Sequence, residues 1–114
     1  MVFAQREGGG GGVVAAESRL WPVGDKAGWT FGVLEWSNYK PFRAGDVLLF
    51  RYPPGAHNVV QVDAEAVQDC EIPGNATVWS SGSDRITLAR GVSFFVCGFP
   101  GHCKNGMKIA ITAN

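Results

Sequence analysis

No apolar run in this sequence approaches the roughly 18 residues that a membrane-spanning helix requires, which excludes such a span. Charge of neither sign prevails: ten Lys and Arg face ten Asp and Glu. Without a basic stripe, nucleic acid is excluded as an expected partner. Strong helical periodicity is also missing, and so is any length for a second domain: 114 residues suffice for one modest core. The composition, 46% apolar and 18% charged, is that of an ordinary globular chain. Soft and imidazole side chains are scarce, with three Cys, two His and two Met, one of them Met1. An odd cysteine count is met most simply by one disulfide and one free thiol. A disulfide argues for an oxidising compartment. The opening stretch MVFAQREGGGGGVVAAESRLW nevertheless does not read as a secretory signal. Arg6 and Glu7 interrupt its apolar part, and Gly8–Gly12 stand where a hydrophobic region belongs.

What the chain does have is a succession of short apolar segments divided by turn residues. Residues 1–18 read as a flexible Gly-rich leader, and 19–114 as the folded domain. Strands are expected at 46–52, 58–62, 76–80, 85–89, 93–97 and 107–113. PPG, PGN, SGSD, RG and PG separate them, each supplying a residue that presets φ or tolerates positive φ. Weak helical periodicity appears at LEWSNY (34–39) and AEAVQD (64–69), two turns at most in each. This pattern predicts an all-β fold, an antiparallel sandwich or barrel with one or two short helices. Pro22 interrupts LWPVGD, so any strand there should be short or at an edge.

Within FFVCGFPGHCKNGMKIA the scarce donors crowd together: Cys97, His102, Cys103 and Met107 fall in eleven residues. Alternation in MKIAITA puts Met107 on one face with Ile109 and Ile111, and Cys97 shares a face with Phe95. FPGH has Pro100 and Gly101 at the centre of an expected type II turn, and Asn105–Gly106 supply a second reversal. A loop folded twice lets Cys97, His102 and Met107, five residues apart each time, converge. His57 opens the strand that follows RYPPGA and so also stands at a strand end. A His₂Cys plane with a weak axial Met describes an electron-transfer copper site. Two other readings compete. One is a Cys97–Cys103 disulfide with Cys70 unpaired; the other is a zinc site built from His57, Cys97, His102 and Cys103. Both leave Met107 without a role.

The segments HNVV, CGFPGHCKNGMKIAI, RAGDVLLF and VGDKAGWTF resemble those of the phytocyanins, the plant blue copper proteins, and among them the plantacyanin group. The resemblance covers about residues 22–113. It implies a cupredoxin-like Greek-key β-sandwich with one type 1 copper held by His57, Cys97, His102 and Met107. It also implies a disulfide between Cys70 and Cys103. Neighbouring residues on an extended chain point opposite ways, which leaves Cys103 free for that bridge while His102 ligates. Asn58 is expected to tie the His57 loop to the Cys97 loop. Asn75, in the NAT triplet 75–77, is an acceptor for glycosylation if the chain is secreted. Trp29 and Phe31, in GWTF, are read as core.

The function implied is single-electron transfer between an unidentified donor and acceptor, protein or small molecule, by a monomer with no enzymatic activity. An extracellular location follows from the resemblance, although no signal peptide is evident. The alternative is a secreted binding or signalling module in which copper is structural or incidental. The balanced charge departs from the basic character of the plantacyanin group, so a partner that recognises a basic surface is not expected.

Overall fold

The computed structural model describes residues 17–114, so the expected leader lies outside the described residues except for its last two positions. Seven strands follow: β1 (Leu20–Pro22), β2 (Val47–Arg51), β3 (Val59–Val62), β4 (Thr77–Trp79), β5 (Ser83–Thr87), β6 (Gly91–Val96) and β7 (Lys108–Ala113). A 3₁₀ turn occupies Asp25–Ala27, and one helix, α1, occupies Ala64–Asp69. The strands form two sheets, ordered β1-β2-β5 and β4-β3-β6-β7.

Every expected strand is present, with one displaced. The segment expected at 85–89 pairs at Ser83–Thr87 instead, with Asp84 opposite Phe50. The displacement follows from Asp84, which is buried: its carboxylate accepts from the Tyr52 and Ser81 hydroxyls at 2.5 and 2.6 Å. A charged residue that looks like turn material is thereby drawn into the strand by its partners. The weak periodicity over 34–39 does not yield a helix. Those residues form successive turns, with Trp36 N–H donating to Val33 O and Asn38 N–H to Glu35 O. Tyr39, at φ 65°, takes a left-handed conformation that stops helical propagation. By contrast 64–69 is helical, because Asp63 caps it by accepting the Ala66 N–H at 2.8 Å. Pro22 ends β1, a three-residue strand at the sheet edge running parallel to β2.

The two sheets enclose one core. Leu48 and Phe50 of β2 and Ile86 of β5 meet Val59, Phe95, Ile109 and Ile111 of the other sheet, with Trp21, Trp29 and Phe42 filling the ends. Asp46 fastens β1 to β2. Its buried carboxylate accepts from the Trp21 indole at 2.9 Å and from the backbone N–H of Arg19 and Arg43 at 3.1 and 3.0 Å. A second, smaller cluster lies on the outer side of the four-stranded sheet, where Val60, Val96 and Cys103 pack with Val67, Cys70 and Ile72. This explains why β3 and the end of β6 are apolar at consecutive positions: α1 and its disulfide cover one face while the core covers the other. Cys70 and Cys103 are joined, with Cα atoms 5.7 Å apart and a sequence separation of 33. Closing a loop of that length stabilises a fold by about 3–4 kcal/mol in the chain-entropy account.

Candidate metal centre

Three backbone devices deliver the donors to one rim of the sandwich. Beyond β2, Ala56 N–H donates to Pro53 O and closes a turn in which Gly55 takes φ 87°. His57 follows and enters β3. At the end of β6 stands Cys97, whose N–H donates to the carbonyl of Met107 at 3.0 Å. That bond continues the β6–β7 register, in which Val96 faces Lys108, so Cys97 and Met107 are cross-strand partners sharing a face. Both side chains are fully buried.

Between them the chain folds back twice. His102 N–H bonds to Phe99 O, and Gly101 has φ 80°, as expected for the Pro100–Gly101 turn. The second reversal is a single helical turn closed by Gly106 at φ 95°. Gly106 N–H donates to Cys103 O and Met107 N–H to His102 O, the pairing of a Schellman cap. Those bonds place His102 over Cys97 and direct Cys103 away toward α1.

The Nδ1 atoms of His57 and His102 lie 3.2 Å apart, and Cys97 Sγ lies 4.0 Å from the first and 3.3 Å from the second. Metal–nitrogen and metal–thiolate bonds of about 2.0–2.3 Å, spread in a plane, leave donors about 3.5–3.8 Å from each other. The observed separations bracket that spacing, and the three donor atoms converge as a metal would require. Cys97 is a free, buried thiol, so the reading that paired it with Cys103 is excluded. The zinc reading that used Cys103 fails for the same reason, since that sulfur is already bonded. Burial, and next the charge of His102, hold His57 below the usual imidazole pKa. The neutral, ligating form is favoured.

Around the donors lies a set of hydrogen bonds. The Asn58 carboxamide oxygen accepts the Gly98 N–H at 2.6 Å, joining the His57 segment to the Cys97 loop. The carbonyl of Asn58 also accepts the Trp29 indole N–H at 2.8 Å. Gly98 is closely held: a Cβ there would lie 3.0 Å from Val60 Cγ2 and 3.2 Å from the Asn58 oxygen. Trp29 is core, as expected. Phe31 is not. It is 44% exposed, and its ring meets both imidazoles, with centroids 5.8 Å from His57 and 4.8 Å from His102. No local periodicity signals this, because the contact depends on where the 29–33 loop crosses the rim. Tyr52 flanks His57 from inside at 6.4 Å. Its phenol is pushed up to about 12 by burial and by its bond to Asp84, so it stays neutral. Asn75 is exposed, on the turn before β4.

The two-sheet sandwich and its His, Cys, His rim define a cupredoxin. Residues 29–107 match the family model of the plastocyanin-like domain. The chain is 53% identical over 98 residues to chemocyanin from Lilium longiflorum, an alignment covering 86% of this chain and 78% of that one. Among solved structures, cucumber basic protein, a blue copper protein, superposes with a TM-score of 0.82 at 49% identity, over 83% of this chain and 99% of that one. Spinach plantacyanin does so at 0.71 with 53% identity, over 76% and 94%. The chain belongs to the phytocyanin family, and its cofactor is one copper ion.

Proposed function

We propose that this protein carries single electrons, with His57, Cys97, His102 and Met107 as the residues that would hold the copper ion. The observation that carries the reading is the convergence of two imidazole nitrogens and one buried thiol within 4.8 Å, beside a buried thioether residue paired across the strands with that thiol. Copper held by such a set exchanges one electron, with intense thiolate-to-copper absorption in its cupric form. The protein's part is to fix the donors in advance. Cys97 and Met107 are locked by the β6–β7 ladder, His102 by the capped turn, and His57 through Asn58. Rigid donors need little rearrangement when the charge changes. His102 is half-buried, and Pro53, Pro54 and Pro100 are exposed around the rim. An apolar collar beside an imidazole suits brief encounters with a redox partner, protein or small molecule. Met107, buried beside Cys97, would supply a further donor to the copper, and the role proposed is that of a carrier, not an enzyme.

The Cys70–Cys103 bridge supports an oxidising, extracellular location, in keeping with the secreted and cell-surface character of phytocyanins. No described helix is long and apolar enough to cross a membrane. Asn75, exposed in its sequon, is the acceptor for a glycan there, and the chain acts as a monomer. The direct test of the carrier role is Cys97→Ser. The variant should keep its fold by circular dichroism and lose both the visible band and electron exchange with a small redox mediator. Undiminished exchange in this variant would refute the reading.

A further inference from the structure

Phe31 is a large apolar side chain left 44% exposed, yet it is held from both sides. Two residues before it, Trp29 is buried, with its N–H on Arg51 O and its indole on Asn58 O, both at 2.8 Å. Two residues after it, Val33 is buried as well. Gly32 between them takes φ 87°, which turns the chain outward at the rim. The 29–33 loop is thus pinned to the segment that carries His57, and its free ring lies against the metal centre. Edge contacts of 64° and 81° with the two imidazoles are favoured arrangements for aromatic rings. His102 is also met by Phe99 at 5.6 Å, and His57 by Tyr52 at 6.4 Å. Phe31 alone among these rings touches both histidines.

Burial increases inward from this ring. Phe31 is exposed, the imidazoles are half-buried, and Cys97 and Met107 are fully enclosed. Nothing among the described hydrogen bonds fixes the outer ring nitrogens of either histidine. Each imidazole is therefore held on its inner edge by the Nδ1 contacts alone, and its χ2, a broad torsion, depends on the rings packed around it. A ring wedged between two aromatic edges loses that freedom.

We propose that Phe31 is a positioning residue of the copper centre: it holds the imidazoles of His57 and His102 with their Nδ1 atoms turned toward Cys97, and it closes the solvent side of the centre to small external ligands. This rests on the copper-carrier reading, but its first consequence concerns the metal-free protein and can be tested separately.

The experiment compares the parent protein with Phe31→Leu and Phe31→Ala, each checked by circular dichroism for a retained fold. In the metal-free proteins, the nuclear Overhauser contact between the Hε1 protons of the two imidazoles should persist in the parent and in Phe31→Leu. It should fall at least twofold in Phe31→Ala. In the copper-loaded proteins all three should keep the thiolate band. Sodium azide should perturb the cupric electron paramagnetic resonance spectrum of Phe31→Ala at concentrations at least tenfold below those needed for the parent. An unchanged imidazole contact in metal-free Phe31→Ala overturns the positioning role. Superimposable azide titrations overturn the shielding role. Absence of the thiolate band in the parent refutes the carrier reading instead, and leaves the metal-free result to decide the positioning role.

Discussion

Asn58 and Gly98 are 40 residues apart in the chain, and the carboxamide oxygen of the first accepts the N–H of the second at 2.6 Å. The same Asn58 receives the Trp29 indole on its carbonyl. One residue beside a ligand therefore joins the 29–33 loop, the His57 turn and the Cys97 loop. Replacing Asn58 by Ala leaves the partly buried Gly98 N–H without its partner, and an unpaired donor costs about 1–3 kcal/mol when buried, with the lower end expected here. Denaturant unfolding of the metal-free Asn58→Ala protein should show a loss of that size, and Asn58→Asp, which keeps an acceptor, a smaller one.

Gly98→Ala should disturb the same knot from the other side. The added methyl would press on Val60 and on the Asn58 oxygen at 3.0 and 3.2 Å. Val60, on β3, is buried within the cluster around the disulfide and has little room to yield. The variant should unfold at lower denaturant concentration than the parent, with a loss of about 1–3 kcal/mol for overpacking.

Removal of the Cys70–Cys103 bridge separates stability from metal binding. The bridge sits on the outer side of the four-stranded sheet with Val60 and Val67, while the donors face inward at the rim. The double variant Cys70→Ser, Cys103→Ser should lose about 3–4 kcal/mol of stability in denaturant titrations. Its copper-loaded form, assayed well below its melting temperature, should retain the parent's visible spectrum.

Acid should act on the fold through Asp46. Burial raises its carboxyl pKa, but bonds from the Trp21 indole and from the Arg19 and Arg43 N–H groups, with the Arg19 charge, outweigh it and leave the pKa lowered. A carboxyl depressed in the folded state adds stability above its unfolded pKa, and that contribution fades as pH falls through the folded value. Asp46→Asn should therefore be less stable than the parent at pH 7. The gap should narrow as unfolding is measured at successively lower pH, below the ordinary carboxylate range.

The convergence of His57, Cys97 and His102 was legible because donors are so few in this chain and because Cys97 and His102 share one folded loop with Met107. Turn chemistry at Pro100–Gly101 and Asn105–Gly106, together with the period-2 alternation around Cys97 and Met107, was enough to bring that loop together. The Cys70–Cys103 pairing came with the family resemblance, since spacing alone leaves several pairings open. Other features depended on contacts between distant segments. The start of β5 moved two residues because Asp84 finds Tyr52 and Ser81, a satisfaction of charge that no propensity encodes. Phe31 read as core because apolar aromatics usually are. Its position over His57 and His102 arises only once Trp29 has docked on Asn58.

The central claim is that His57, Cys97 and His102 clasp a single copper ion through a thiolate bond. Aerobic copper(II) titration of the purified protein, followed by visible absorption and electron paramagnetic resonance, tests it most directly. One equivalent should saturate an intense thiolate-to-copper band, and the cupric spectrum should show a narrow parallel hyperfine splitting. A colourless protein at one equivalent, or a spectrum with the wide splitting of a tetragonal nitrogen and oxygen site, would contradict the account.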